Sequence, residues 1–153
     1  MSVKDKLSAL GLTLPTAAAP VAAYVPAVKS GNLVFTAGQL PVIDGKLVKE
    51  GRVGSDVTAE AAKELAKICA LNALAAISLV ADLDQVERVV RVGGFVNCAP
   101  GFTAIPGVVN GASELLIKVF GDVNGKHART AVGVAELPLN APVEIELIVQ
   151  LKN

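Results

Sequence analysis

The chain has 153 residues, 14 of them basic and 14 acidic, with 52% hydrophobic and only 3% aromatic. That length matches one ordinary domain with a core of its own, built from Ala, Val, Leu and Ile rather than from rings. A formal net charge of +0 without a dense Lys/Arg run lacks the electrostatic footprint of a nucleic-acid binder and disfavours attachment to a membrane surface.

Residues 1–20 read as a lead-in to a single domain spanning residues 1–153. Lys4, Asp5 and Lys6 interrupt any signal-peptide core, and Ser2 to Leu10 is predicted as a short helix ended by Gly11. Thr13 to Pro20 is an irregular Pro/Ala segment, and the apolar stretch Ala17 to Val28 is too short to span a bilayer and is broken by Pro20 and Pro26. Val21 to Val28 and Leu33 to Ala37 are predicted strands of a hairpin, joined by Lys29-Ser30-Gly31-Asn32, and Asp44-Gly45 marks another tight reversal. From Val57 to Val80 the apolar residues take helical spacing, with Asp56 as the expected N-cap and Asn72 as a polar exception on the buried face. Val86 to Asn97 is predicted as a central strand, its Gly93-Gly94 pair marking close backbone packing or a bulge. A second helix starts near Pro106 and is ended by Gly121. Thr130 to Leu137 and Val143 to Leu151 close the chain, and alternation turns Glu144, Glu146 and Gln150 to the face opposite Val143, Ile145 and Leu147. This order predicts an α+β domain, a mixed sheet covered on one side by two helices. Its high apolar content with little charge leaves surface for burial between subunits, so a homo-oligomer is expected.

Several chemistries find no support. A single histidine, His127, does not make a zinc site, no GxSxG elbow is present, and neither GxGxxG nor a phosphate-cradling GxxxxGK[ST] loop occurs. No metal and no cofactor are expected. Two isolated cysteines, Cys69 and Cys98, give no disulfide framework and fit a reduced, cytoplasmic setting; Cys98 reads as an inert small hydrophobe. What remains is Arg129 near Glu144 and Glu146. The planar, permanently charged fork of an arginine matches a carboxylate and suggests a site for a small anionic ligand. The rival reading is a salt bridge from Arg129 to Glu144 or Glu146 across neighbouring strands.

Three segments together resemble the RidA, or YjgF, family: Val34-Phe35-Thr36-Ala37-Gly38-Gln39-Leu40-Pro41, Pro106-Gly107-Val108-Val109-Asn110, and Ala128-Arg129-Thr130 through Leu137-Pro138 to Val143-Glu144-Ile145-Glu146. The resemblance runs from Ala23 to Leu151. It implies a chorismate-mutase-like α+β fold, a homotrimer with ligand sites between adjacent subunits, and hydrolytic deamination of reactive enamines or imines to 2-oxo acids and ammonia. In that reading Arg129 matches the residue holding the substrate's carboxylate and Glu144 the residue holding or activating water. Tyr24, Gly38, Asn110 and Ala131 match positions lining the ligand, and Glu146 is structural. The chain departs from the deaminase pattern at Ala37, where a serine is usual, in the loop Cys98 to Ile105, and at Ala131. These departures keep a second reading open, a non-catalytic binder of small carboxylate-bearing metabolites; an endoribonuclease or translation inhibitor is the least favoured.

Overall fold

In the computed structural model, which describes residues 1–20 and 22–153, the predicted elements appear in the expected order, and their ends show which local signals prevailed. Helix α1 (Val3–Ala9) begins with a reciprocal capping box: Ser2 Oγ accepts the Asp5 N–H and the Asp5 carboxylate accepts the Ser2 N–H. Asp84 ties it to the body by accepting the Val3 N–H at 2.7 Å. The first strand, β1 (Ala27–Ser30), pairs with β2 (Leu33–Thr36). The expected strand over Val21 to Val28 is thus corrected: residues 22–25 are exposed and outside any strand, Val21 lies outside the described residues, and pairing begins only after Pro26. Proline has no N–H to give a ladder. The Asp44-Gly45 reversal is present between β3 (Val42–Ile43) and β4 (Lys46–Leu47), with φ of 51° and 77°, as a two-residue primed turn requires.

Helix α2 (Ala59–Ile77) is capped by Thr58, whose Oγ1 accepts the Ala61 N–H at 3.1 Å. Asp56, the expected cap, instead accepts the Arg52 N–H at 2.9 Å. Strand β5 (Val86–Asn97) and helix α3 (Ile105–Asn124) follow, and α3 leaves helical geometry at Gly121 with φ 86°. Strand β6 (Ala128–Val134) starts two residues before Thr130, so Arg129 lies inside it, and β7 (Val143–Leu151) matches its expected span.

The five long strands form one sheet in the order β1-β2-β7-β5-β6, antiparallel except for the parallel pair β5 and β6, which α3 connects. The central strand is therefore β7. Because β5 separates β6 from β7, the cross-strand ion pair is corrected: Arg129 stands opposite Val92, Glu144 opposite Phe95 and Glu146 opposite Gly93. Ladder irregularities fall between Val86 and Arg91, and Gly93-Gly94 serves close packing on both faces of the sheet. A Cβ on Gly94 would lie 2.5 Å from Val109 of α3, and one on Gly93 would lie 2.7 Å from the Glu146 side chain.

Helices α2 and α3 cover one face, burying Val89, Val92 and Val96 of β5 with Val143, Ile145, Leu147 and Val149 of β7. Alanines at 62, 66, 70 and 73 keep α2 slim, and Gly111 lets α3 rest on the Lys63 carbonyl, leaving no room for a Cβ. Among the described residues no layer covers the other face: Val28 is 51% exposed, Phe35 40% and Val132 39%. Among the described residues no helix is long and apolar enough to cross a membrane.

Candidate functional site

The strand register divides the predicted residues into two groups on opposite faces of the sheet. Arg129 and Ala131 alternate with Thr130 along β6, and they share the helix-covered side with Val92 and Gly94. There the Arg129 Nη1 donates to Asn110 Oδ1 at 2.8 Å and to Ser113 Oγ at 3.2 Å, while Nη2 reaches the Pro106 carbonyl at 3.4 Å. Asn110 and Ser113 meet the same guanidinium because residues three apart share a helix face. No carboxylate pairs with Arg129 among the described residues. Neutral oxygens hold the fork in place and leave its charge uncompensated, a poor arrangement for a structural ion pair and a good one for anion binding.

Ser113 and His127 were not identified as site residues by sequence, although Ser113 follows Asn110 by one helical turn and His127 precedes Arg129 by one strand repeat. The His127 Nδ1 lies 2.6 Å from the Gly125 carbonyl and its Nε2 lies 2.9 Å from Ser113 Oγ. A carbonyl only accepts, so Nδ1 carries the proton of the neutral ring and Nε2 accepts from Ser113. Burial, and then the nearby Arg129 charge, hold the imidazole below its ordinary pKa, opposed in part by the Gly125 bond.

The second group gathers around Glu144. The segment after β2 runs beside β7, with the Gln39 N–H donating to the Ile145 carbonyl at 2.8 Å and the Ile145 N–H to the Gln39 carbonyl at 3.0 Å. This places Gly38 directly under the Glu144 carboxylate, where any Cβ would collide with Oε1. Asn72, the polar exception on α2, donates to the Leu40 and Val42 carbonyls at 3.0 and 2.9 Å and fixes the chain just beyond Gly38. Glu144 is half-buried, and desolvation first, then the like charge of Glu146, raise its pKa above the usual carboxylate value. Thr36 does not replace the hydroxyl missing at Ala37: its Oγ1 accepts the Leu147 N–H at 2.9 Å inside the sheet. Tyr24 is 48% exposed. With Gly38, Gln39 and Leu40 it lines a cleft of about 740 Å³ that also borders the Pro15–Pro20 segment. Arg129 and Asn110 do not line that cleft.

Neither thiol is activated. Cys69 is buried and Cys98 partly so, and burial raises both above the ordinary thiol value. A separate hollow of about 600 Å³ beneath α1 is bounded by Lys4, Leu7, Leu14, Ser78 and Asp84, away from both groups. No cluster of three or more potential metal ligands occurs among the described residues.

Comparison with known proteins assigns the chain to a family. Residues 4–151 match the family model described as "YjgF/chorismate_mutase-like, putative endoribonuclease". The chain belongs to the YjgF/RidA family. One relative, Protein TCP17 of Trypanosoma cruzi, is 43% identical over 99% of this chain and 95% of its own length. The 2-iminobutanoate/2-iminopropanoate deaminase of Escherichia coli K12 is 33% identical over 89% of this chain and 94% of its own. Among solved structures, Atu1372 of Agrobacterium tumefaciens, of unknown function, superposes with a TM-score of 0.90 at 44% identity, covering 99% of this chain and 94% of that one. The α+β architecture is therefore the YjgF/RidA fold, and the relationship to a named iminoacid deaminase supports deaminase chemistry at the level of the family.

Proposed function

We propose that the protein is a homotrimeric enamine/imine deaminase in which Arg129 of one subunit holds the substrate's carboxylate and Glu144 of a neighbour holds the attacking water. The observation that carries the reading is the guanidinium of Arg129, held by Asn110 and Ser113 without an acidic partner among the described residues. Within one chain Arg129 and Glu144 lie on opposite faces of the sheet. A shared ligand therefore requires two subunits, and the uncovered face bearing Val28, Phe35 and Val132 supplies apolar surface for their contact.

The reaction needs little covalent chemistry from the protein. Fixing the carboxylate of a 2-imino acid orients its C=N carbon, and an enamine enters the same course after tautomerising to the imine. Water adds to that carbon as the Glu144 carboxylate takes one of its protons and passes it to the imine nitrogen, giving a carbinolamine. Glu144 then takes the carbinolamine hydroxyl proton and delivers it to the amino nitrogen as the C–N bond breaks, so ammonia leaves and a 2-oxo acid remains. The raised proton affinity of Glu144 suits a group that both takes and returns a proton. Gly38, Tyr24 and Ala131 complete the walls of the ligand site, and no metal or cofactor enters the scheme.

The test is the decay of imines generated by an amino-acid oxidase, followed by semicarbazide trapping. The protein is expected to speed the decay, and Arg129→Ala to lower kcat/KM about a hundredfold or more, the cost of removing a bidentate charged contact. Absence of acceleration across several amino acids overturns the enzymatic reading. One observation favours the alternative of a non-catalytic binder of 2-oxo acids: beside Gly38 the chain has Ala37, and the Thr36 hydroxyl is already engaged. Calorimetric binding of a 2-oxo acid that is lost in Arg129→Ala, without turnover, selects that alternative. Against an endoribonuclease stand the net charge of +0 and the engagement of both nitrogens of the lone histidine.

A further inference from the structure

Behind Arg129 runs a directed set of hydrogen bonds that ends at the only histidine of the chain. Arg129 Nη1 donates to Ser113 Oγ at 3.2 Å, Ser113 Oγ donates to His127 Nε2 at 2.9 Å, and His127 Nδ1 donates to the Gly125 carbonyl at 2.6 Å. Each direction follows from the one beyond it. The Gly125 carbonyl can only accept, which fixes the ring tautomer; the bare Nε2 then takes the Ser113 proton; and the Ser113 lone pairs are left facing a guanidinium that can only donate. Ser113 is buried, so its hydroxyl cannot turn to water without breaking the set.

We propose that His127 is a proton-sensitive positioning residue for Arg129: in the free protein its neutral ring draws in the Ser113 hydroxyl proton, so that Ser113 holds Nη1, and with a carboxylate on Arg129 the ring takes up a proton more readily, Ser113 then accepting from both Nη1 and Nε2 through its two lone pairs. The inference rests on the reading of Arg129 as a carboxylate anchor. Its second half is electrostatic. The free guanidinium disfavours a second positive charge nearby, and a bound carboxylate cancels much of that repulsion. Other charges around the ring are otherwise engaged or exposed. On α3 Glu114 is paired with Lys63 of α2 at 2.8 Å, Asp122 with Lys126 at 3.7 Å, and Lys118 is exposed. On β5 Arg91 donates to Thr130 Oγ1 at 2.7 Å.

Linkage gives the sign. If carboxylate binding raises the proton affinity of the ring, a proton on the ring tightens carboxylate binding by the same factor, about tenfold for each unit of pKa rise. Affinity should then increase as pH falls through the histidine range. Glu144, whose proton affinity burial raises, adds a second dependence, because its neutral form repels the ligand less; a variant without the histidine separates the two.

The experiment uses the intact oligomer, with 2-oxobutanoate as the probe. Imidazole nitrogen resonances come from one residue and need no assignment. Expected are a neutral ring protonated on Nδ1 in the free protein and a rise in its pKa at saturating 2-oxobutanoate. Calorimetry from pH 8 to pH 5 should show roughly threefold to tenfold tighter binding at the acid end. His127→Gln offers Ser113 an acceptor that does not titrate, so it should retain most of the affinity at pH 8 and keep only the Glu144 part of the pH dependence. Ser113→Ala should weaken binding about threefold to tenfold and shrink the shift of the ring. A proton on Nε2, a ring indifferent to the ligand, or an unchanged pH dependence in His127→Gln each overturns the inference and leaves the anchor reading intact. Failure of 2-oxobutanoate to bind at any pH overturns the anchor reading, and this inference with it.

Discussion

Glu144 shows how one strand position acquires chemistry that its residue type alone does not provide. Alternation in β7 was enough to place it on the face away from the core. Its neighbours were not legible, because contact with Gly38 depends on a loop that returns to β7 only in the folded sheet. Half-buried beside Glu146, the carboxyl holds its proton more tightly than an ordinary glutamate. In the proposed mechanism Glu144 is the base and works only when deprotonated, so kcat/KM for imine hydrolysis should fall with decreasing pH along a limb centred above the usual glutamate value. Glu144→Gln should lose about a hundredfold or more in rate and remove that limb. The same shift has the opposite sign for stability. A pKa raised on folding contributes stability that is fully present below the unfolded value and is lost as pH rises through the folded one. Thus Glu144→Gln should unfold at a higher temperature than the parent at pH 7, with the gap closing near pH 4. Equal melting temperatures at pH 7 would show that the carboxylate is not strained by its surroundings.

At the scale of elements, periodicity identified nearly every long segment, since each buries one face and the period of that face is written locally. β5 and β7 have the expected limits, and the Asp44-Gly45 turn is where its φ preferences require. Lateral order was not legible: the last two strands follow each other in sequence, yet β5 lies between them, and strand pairing depends on contacts that no local pattern encodes. The cap of α2 was ambiguous for a different reason. Asp56 and Thr58 are both competent, and the choice fell to Thr58 because Arg52 already occupies Asp56. Gly111 was likewise silent in the sequence, although it sets how closely α2 and α3 approach. Ala in mid-helix gains about 0.5–1 kcal/mol over Gly from propensity. Here its methyl group would strike the Lys63 backbone carbonyl, which cannot swing aside like a side chain. Overpacking costs about 1–3 kcal/mol, so Gly111→Ala should lower the urea midpoint despite its better propensity. A raised midpoint would mean that the helices can separate without loss.

For the whole molecule, two facts that look unrelated in one chain would have a single explanation in the proposed homotrimer. One face of the sheet carries exposed Val28, Phe35 and Val132 without a covering layer, and the two halves of the candidate site sit on opposite sides of that same sheet. Packing three copies through the uncovered faces would bury the apolar surface and could bring one subunit's Arg129 to the next subunit's Glu144. Shared sites make a prediction that self-contained sites do not. Arg129→Ala and Glu144→Gln subunits are each expected to be nearly inactive alone, but co-refolded in equal amounts they should assemble interfaces at random. A site is intact only where the Glu144→Gln subunit supplies Arg129 and the Arg129→Ala subunit supplies Glu144, which holds for about one interface in four. The mixture should therefore recover roughly a quarter of the parent activity, while a double variant mixed with the parent recovers nothing beyond the parent's own undisturbed sites. If the mixture stays as inactive as its components although mass measurement shows mixed trimers, Arg129 and Glu144 do not serve a common ligand.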